Sequence, residues 1–219
     1  MTALRRYWLA LLFAASAIAI ASFCYGRLSE RIPVHWNMYG GVDGWMPKRV
    51  GAFALPLITL ILTGLLIAVA PITTEESGSS SMRRVYPTIV AAIAAFLLYM
   101  TIMVVSVGMG VVLSVSSYIS IGLGILFIII GNNLGKITRN RVVGIRTPWT
   151  LASDEVWSRT HRLGGWLFVL AGIAVSIASL LGDGTAFAVS TVAGAIIVSI
   201  VYSYVISRRL DRGKRNALL

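Results

Sequence analysis

From Val85 to Leu134 the chain runs for fifty residues without one formal charge. A single helix of that length would measure about 75 Å, whereas the hydrocarbon core of a bilayer is about 30 Å thick, so the run folds back as two membrane spans. The reversal is expected between Gly108 and Ser117, where Gly108, Gly110, Ser114, Ser116 and Ser117 cluster. Composition points the same way. Of 219 residues, 57% are hydrophobic and 12% charged, against the roughly half-apolar, quarter-charged mix of a soluble domain.

Four more apolar runs complete the expectation of an all-α, polytopic integral membrane protein, a bundle of six transmembrane helices. Span one is read at 7–26, span two at 50–70, span five at 163–181 and span six at 185–207. Arg5, Arg6 and the Ala19-Ile20-Ala21 triplet imitate a secretory signal peptide. A run this long that leads into further spans reads instead as an uncleaved first helix. Pro56 is expected to kink span two and Pro71 to end it. Residues 72–84 read as a mobile polar linker, and Gly182, Asp183 and Gly184 as the turn between spans five and six.

Nineteen Lys and Arg against eight Asp and Glu give a net charge of +11. A nucleic-acid binder would carry such charge on one face of a soluble fold, but here it sits between spans, so no direct nucleic-acid binding is expected. On alternate sides of six spans the cations divide fifteen to four, the four all lying within residues 27–49. That excess sets both termini and the loop between spans four and five in the cytoplasm.

The outward loop, residues 27–49, contains IPVHWNMYGGVDGWMPK. Pro33 and the Gly40, Gly41, Gly44 cluster forbid a continuous helix, so a turn-rich loop is expected. His35, Asn37 and Asp43 could meet around a metal or an anionic ligand, although one His, one Asn and one Asp are too few ligands for a closed site. The other reading has His35 and Asp43 hydrogen-bonded within the loop, with Trp36, Tyr39 and Trp45 as aromatic anchors at headgroup level.

The stretch GNNLGKITRNRVVGIRTPWTLASDEVWSRTHRLGG, residues 131–165, holds six of the nineteen cations. Thr147-Pro148 keeps 144–149 from being helical. Ser153 is a candidate N-cap for a short helix over 154–163, with Asp154 and Glu155 in its first turn and Arg159, His161 and Arg162 in its last. Glu155 can pair with Arg159. Val156, Trp157 and Thr160 form a less polar face expected to rest on the bilayer, and Gly164 and Gly165 a bend into span five. Either this loop recognises a partner or the lipid surface, or its Arg residues merely hold it inside while Trp149 and Trp157 mark the interface.

All eight carboxylates fall in loops or at span ends, and no Lys or Arg sits mid-span. Pumps and ion-coupled carriers place such groups inside the membrane, so a transporter loses ground. Small residues at spacing four, Gly172 with Ser176, Ala174 with Ala178, and Ser190 with Gly194, favour close helix packing. There is no H-E-x-x-H, no G-x-S-x-G and no paired histidines. Arg159, His161 and Arg162 form a trio able to grip a phosphate, but no second histidine stands near as nucleophile. No enzymatic activity, catalytic residue, metal or cofactor is therefore assigned. Cys24 is the single cysteine, so no internal disulfide can form.

Residues 131–169, above all GIRTPWTLASDEVWSRTHRLGG, resemble the signature region of the SdpI family, bacterial and archaeal membrane proteins named for an immunity protein against a sporulation-delaying toxin. The outward loop resembles the domain of unknown function that often precedes that region. One departure is that many relatives read Lys-Pro-Asn where this chain has Thr138, Arg139 and Asn140, which is expected to alter the turn there. The resemblance implies a two-span unit at 1–70, a linker at 71–84, a four-span unit at 85–207 with the cytoplasmic loop at 135–162, and a basic tail at 208–219. It also implies a membrane immunity and signalling protein that resists a secreted, membrane-acting peptide toxin and recruits a small DNA-binding autorepressor. Repressor contact would then fall on Arg146, Thr147, Pro148, Trp149, Trp157, Arg159, His161 and Arg162. Toxin contact would fall on the outward loop, at His35, Trp36, Asn37, Asp43 and Trp45. The alternative is a small-solute or lipid transporter, or a lipid-headgroup enzyme, in which Arg146 and Arg162 bind an anionic group.

Overall fold

The computed structural model describes residues 3–37, 40–75, 80–182 and 185–216; Tyr39, Asp183 and Gly184, named above, lie outside the described residues. In chain order the elements are α1 (Ala3–Cys24), a single 3-10 turn (Tyr25–Arg27), β1 (Arg31–Trp36), β2 (Val42–Pro47), α2 (Lys48–Ala68), α3 (Ala70–Glu75), α4 (Ser80–Gly108), α5 (Val115–Leu134), α6 (Pro148–Ala152), α7 (Asp154–Leu180) and α8 (Thr185–Asn216). Six of these helices, α1, α2, α4, α5, α7 and α8, are long and apolar enough to cross a membrane. The protein is thus an all-α, multi-pass membrane bundle, and the uncharged fifty-residue run is two helices joined at 109–114.

Helices α1, α2 and α4 pack together, as do α5, α7 and α8, and the two groups meet along α4 and α5. Lipid tails are as apolar as leucine, so contact between helices gains little from the hydrophobic effect and depends on close packing. Small residues make the closeness possible. Ala10, Ala14, Ala17 and Ala21, at helical spacing on α1, are all fully buried. The tightest approach joins α5 to α7, where Gly124, Gly131, Gly165 and Gly172 set backbone against backbone. Ser176 belongs to this seam, its hydroxyl donating to Gly172 O (2.9 Å) while lying against Gly124. Gly194 on α8 has open space beside it and seals no such contact.

Several local expectations change. Gly164 and Gly165 do not bend a short helix into a span, because α7 is continuous from Asp154 to Leu180. They are small for packing: a Cβ on Gly165 would sit 2.7 Å from Gly131 O, and one on Gly164 would sit 3.0 Å from Ile145 Cδ1. Pro71 does not end α2, which stops at Ala68. It lies in the first turn of α3, where a missing N–H leaves no helical bond unmade. The linker contributes helical residues to α3 and to the start of α4, and the basic tail continues α8 as far as Asn216.

Residues 27–49 contain an antiparallel hairpin that turn residues alone did not disclose. Arg31 pairs with Pro47, Ile32 with Met46, Pro33 with Trp45, His35 with Gly44 and Trp36 with Val42, with irregularities on either side of His35. Pro33 is tolerated because a two-stranded ribbon consists only of edges. Gly44 is required by the pairing, since a Cβ there would approach His35 Cβ to 2.7 Å.

Candidate partner surfaces at the two ends of the bundle

At the hairpin end, Ile32 is fully buried and joins Leu28, Ala52, Val104 and Val105 in one apolar cluster. Backbone bonds fasten it: Ser29 N–H donates to Gly108 O (2.9 Å) and Lys48 N–H to Glu30 O (2.9 Å). The hairpin is therefore mounted on the ends of α2 and α4. Five sequence-predicted residues lie on it or its turn. His35 and Asp43 meet at 2.5 Å, both well exposed, so they satisfy each other across the ribbon. Asn37 shapes the turn, its side-chain oxygen accepting from Gly41 N–H at 3.0 Å. Trp36 is half-buried against the apolar cluster, whereas Trp45 is 52% exposed.

At the other end, residues 135–153 form an ordered strap over α5, α7 and α8. Asn140, 4% exposed, ties its first turn: the side-chain amide donates to Thr138 O (2.9 Å) and Val143 O (3.1 Å). Its oxygen accepts from Val142 N–H and Val143 N–H, each at 2.8 Å. The departure from Lys-Pro-Asn thus retains the Asn that makes the turn. Arg139 closes the strap from outside, on Asp154 at 2.7 Å and Leu151 O at 2.5 Å.

His161 anchors the middle of the strap. It is fully buried, stacked on Trp157 with ring centroids 4.0 Å apart. Its Nε2 accepts from Ile145 N–H at 2.9 Å, which leaves Nδ1 to carry the proton and donate to Trp157 O at 2.8 Å. This is a neutral imidazole with both nitrogens engaged. It cannot join Arg159 and Arg162 in gripping a phosphate. Nor do Val156, Trp157 and Thr160 rest on the bilayer: all three are buried in protein, and Trp157 Nε1–H donates to Ile137 O at 2.7 Å.

The Thr147-Pro148 step starts a helix where a non-helical stretch was expected. Thr147 is the N-cap of α6, with Pro148 just inside, and the Thr147 and Thr150 hydroxyls each accept from the other's backbone N–H (3.2 and 2.8 Å). Trp149 reaches α8, donating to Ser203 Oγ at 2.7 Å and meeting the Tyr204 ring edge-on at 5.4 Å. Ser153 caps α7 as expected, accepting from Val156 N–H at 3.3 Å, and Arg159 pairs with Glu155 at 2.6 Å.

Of the eight strap and α7 candidates, Arg146, Pro148, Arg159 and Arg162 are exposed, Thr147 and Trp149 are half-buried, and Trp157 and His161 are buried. Arg146 also donates to Arg141 O. The sequence reading missed Asn140, Gly144 and Thr150. Gly144 has φ of +121°, and a Cβ on it would overlap His161 Nε2. A glycine set between Val143 and Ile145 just before a Thr-Pro step was the available signal.

Residues 136–205, the strap with α7 and most of α8, match the SdpI/YfhL protein family. Residues 11–60, which include the hairpin, match a domain of unknown function, DUF1648. Over 197 residues the chain is 25% identical to the protein named Immunity protein SdpI of Bacillus subtilis (strain 168), covering 85% of this chain and 88% of that one. No solved structure matches. Two matched segments and similarity along most of both chains make this multi-pass membrane protein similar to the SdpI/YfhL family, with a segment similar to DUF1648 towards its amino-terminal end.

Proposed function

We propose that the protein confers immunity by contact: the outer hairpin meets a membrane-acting peptide toxin, and the strap presents a surface to a small DNA-binding repressor. The observation that carries this reading is the hairpin's mounting. It is fixed to α2 and α4, yet β2 leaves Val42 and Trp45 exposed in the lining of a cavity of about 590 Å³ that Arg27 and Arg31 also line. Exposed aromatic and apolar groups ringed by cations suit an amphipathic peptide bearing a carboxylate. The similarity to a protein named for immunity supports the same reading.

Signalling needs a toxin that binds two conformations with different affinity. Helix α4 is the element able to report it, because Gly108 at one end bonds the hairpin segment and Ser81 at the other donates to Lys136 O of the strap (2.9 Å). Repressor contact would use exposed Arg146, Pro148 and Arg159, with Trp157 and His161 holding them in place. Catalysis and solute transport have no part in this account, since among the described residues the formal charges lie at the two ends of the bundle. Both termini and the strap are assigned to the cytoplasm by the charge excess.

The test is survival of a toxin-sensitive host expressing the protein, challenged with a panel of membrane-active peptides. Protection against at least one peptide is expected, and Trp45→Ala should reduce it about tenfold with unchanged membrane abundance, the effect of removing one aromatic anchor. Survival equal to that of an empty vector across the panel would rule the immunity reading out.

A further inference from the structure

We propose that the groove between α5 and α7 at the strap end of the bundle binds the phosphate of an anionic phospholipid. The groove has a volume of about 260 Å³, and its floor is the bare backbone of Gly131, Gly135 and Gly165. Gly131 and Gly165 lie so close that a Cβ on either would come within 2.7 Å of the other's carbonyl oxygen, so no side chain fills the floor. Two matching pairs one helical turn apart, Asn132 and Lys136 from the α5 side and Arg162 and Trp166 from α7, make the walls together with Val169.

Charge decides what fits there. Lys136 follows the C-cap of α5, where a cation offsets the carbonyl end of the helix dipole. Asp154 and Glu155, the carboxylates near the strap, are engaged by Arg139 and Arg159. Among the described residues, Lys136 Nζ and the Arg162 guanidinium make no ion pair. Two exposed cations therefore face one groove without a counter-charge, which draws an anion and suits a phosphate oxygen pair.

The surroundings select a lipid over a free anion. Trp166 is 67% exposed one turn from Arg162, the position an aromatic takes at headgroup level. Past it, Leu170, Ile173 and Ile177 continue as an exposed stripe at helical spacing, a wall for an acyl chain. Basic pockets between transmembrane helices bind anionic headgroups by this combination. The site shares Arg162 with the repressor-contact candidates but rests on neither toxin nor repressor binding.

The experiment is native mass spectrometry of the full chain in detergent micelles holding equal phosphatidylglycerol and phosphatidylcholine. Selective retention of phosphatidylglycerol is expected, with the preference falling about fivefold for Lys136→Gln or Arg162→Gln and about 25-fold for both, the effect of one and two interfacial cations. Arg83→Gln with Arg84→Gln, which removes the same charge from exposed positions on α4, should leave the preference unchanged, and soluble glycerol phosphate should not displace the lipid. Equal retention of both lipids, an undiminished preference in the double variant, the same loss in the Arg83 and Arg84 pair, or displacement by glycerol phosphate would each overturn the proposal.

Discussion

Gly144→Ala is expected to cost the purified protein about 3–5 kcal/mol, read as a large drop in melting temperature in detergent. Two independent penalties meet at this atom. The φ of +121° is one that an L side chain rarely adopts, and strain of this kind costs about 1–3 kcal/mol. The new methyl group would overlap His161 Nε2 and crowd the Trp157 ring, whose Cζ2 and Cη2 each lie 3.1 Å from it. Neither ring can retreat cheaply. Their nitrogens hold Ile145 N–H, Trp157 O and Ile137 O, so moving them leaves buried polar groups unpaired. If Gly144→Ala melted with the parent protein, the strap would not be seated on His161.

Gly131→Ala is the second large effect, about 3 kcal/mol from overpacking at a helix seam. Its Cβ would lie 2.7 Å from Gly165 O, 2.8 Å from Val169 N and 2.9 Å from Phe168 Cβ. Two of these atoms are α7 backbone, which no rotamer change moves, so relief requires the helices to separate. Gly194→Ala serves as the control, since open space beside it predicts a near-neutral result. Melting curves of the two variants check this, and equal midpoints would show that α5 and α7 do not approach as described.

The membrane architecture was legible because a long uncharged run admits few folds: its length alone forced two spans, and the Gly and Ser cluster marked where they part. Local capping was legible for the same reason. Ser153, the Asp154-Glu155 pair and the Glu155 to Arg159 spacing obey rules confined to one helical turn. The hairpin was not, because a proline in one strand and three glycines nearby mask the alternation of Ile32, Val34 and Trp36. At the strap end, charge and aromatic content read as surface chemistry. Whether Trp157 and His161 face outward or inward depends on contacts with residues 137 and 145, which no local pattern reveals. The cations belong to the surface, and the aromatic and imidazole rings to its foundation.

The strap is a folded part of the bundle and not a loose arm. Hydrogen–deuterium exchange of peptides covering residues 140–147 tests this most directly. Ile145 N–H, Val142 N–H and Val143 N–H are held by the His161 and Asn140 side chains and by no helix or sheet. They are expected to exchange at least about 100-fold more slowly than unstructured chain, and the protection of Val142 and Val143 should vanish in Asn140→Ala. Exchange at the unstructured rate in the parent protein would contradict it.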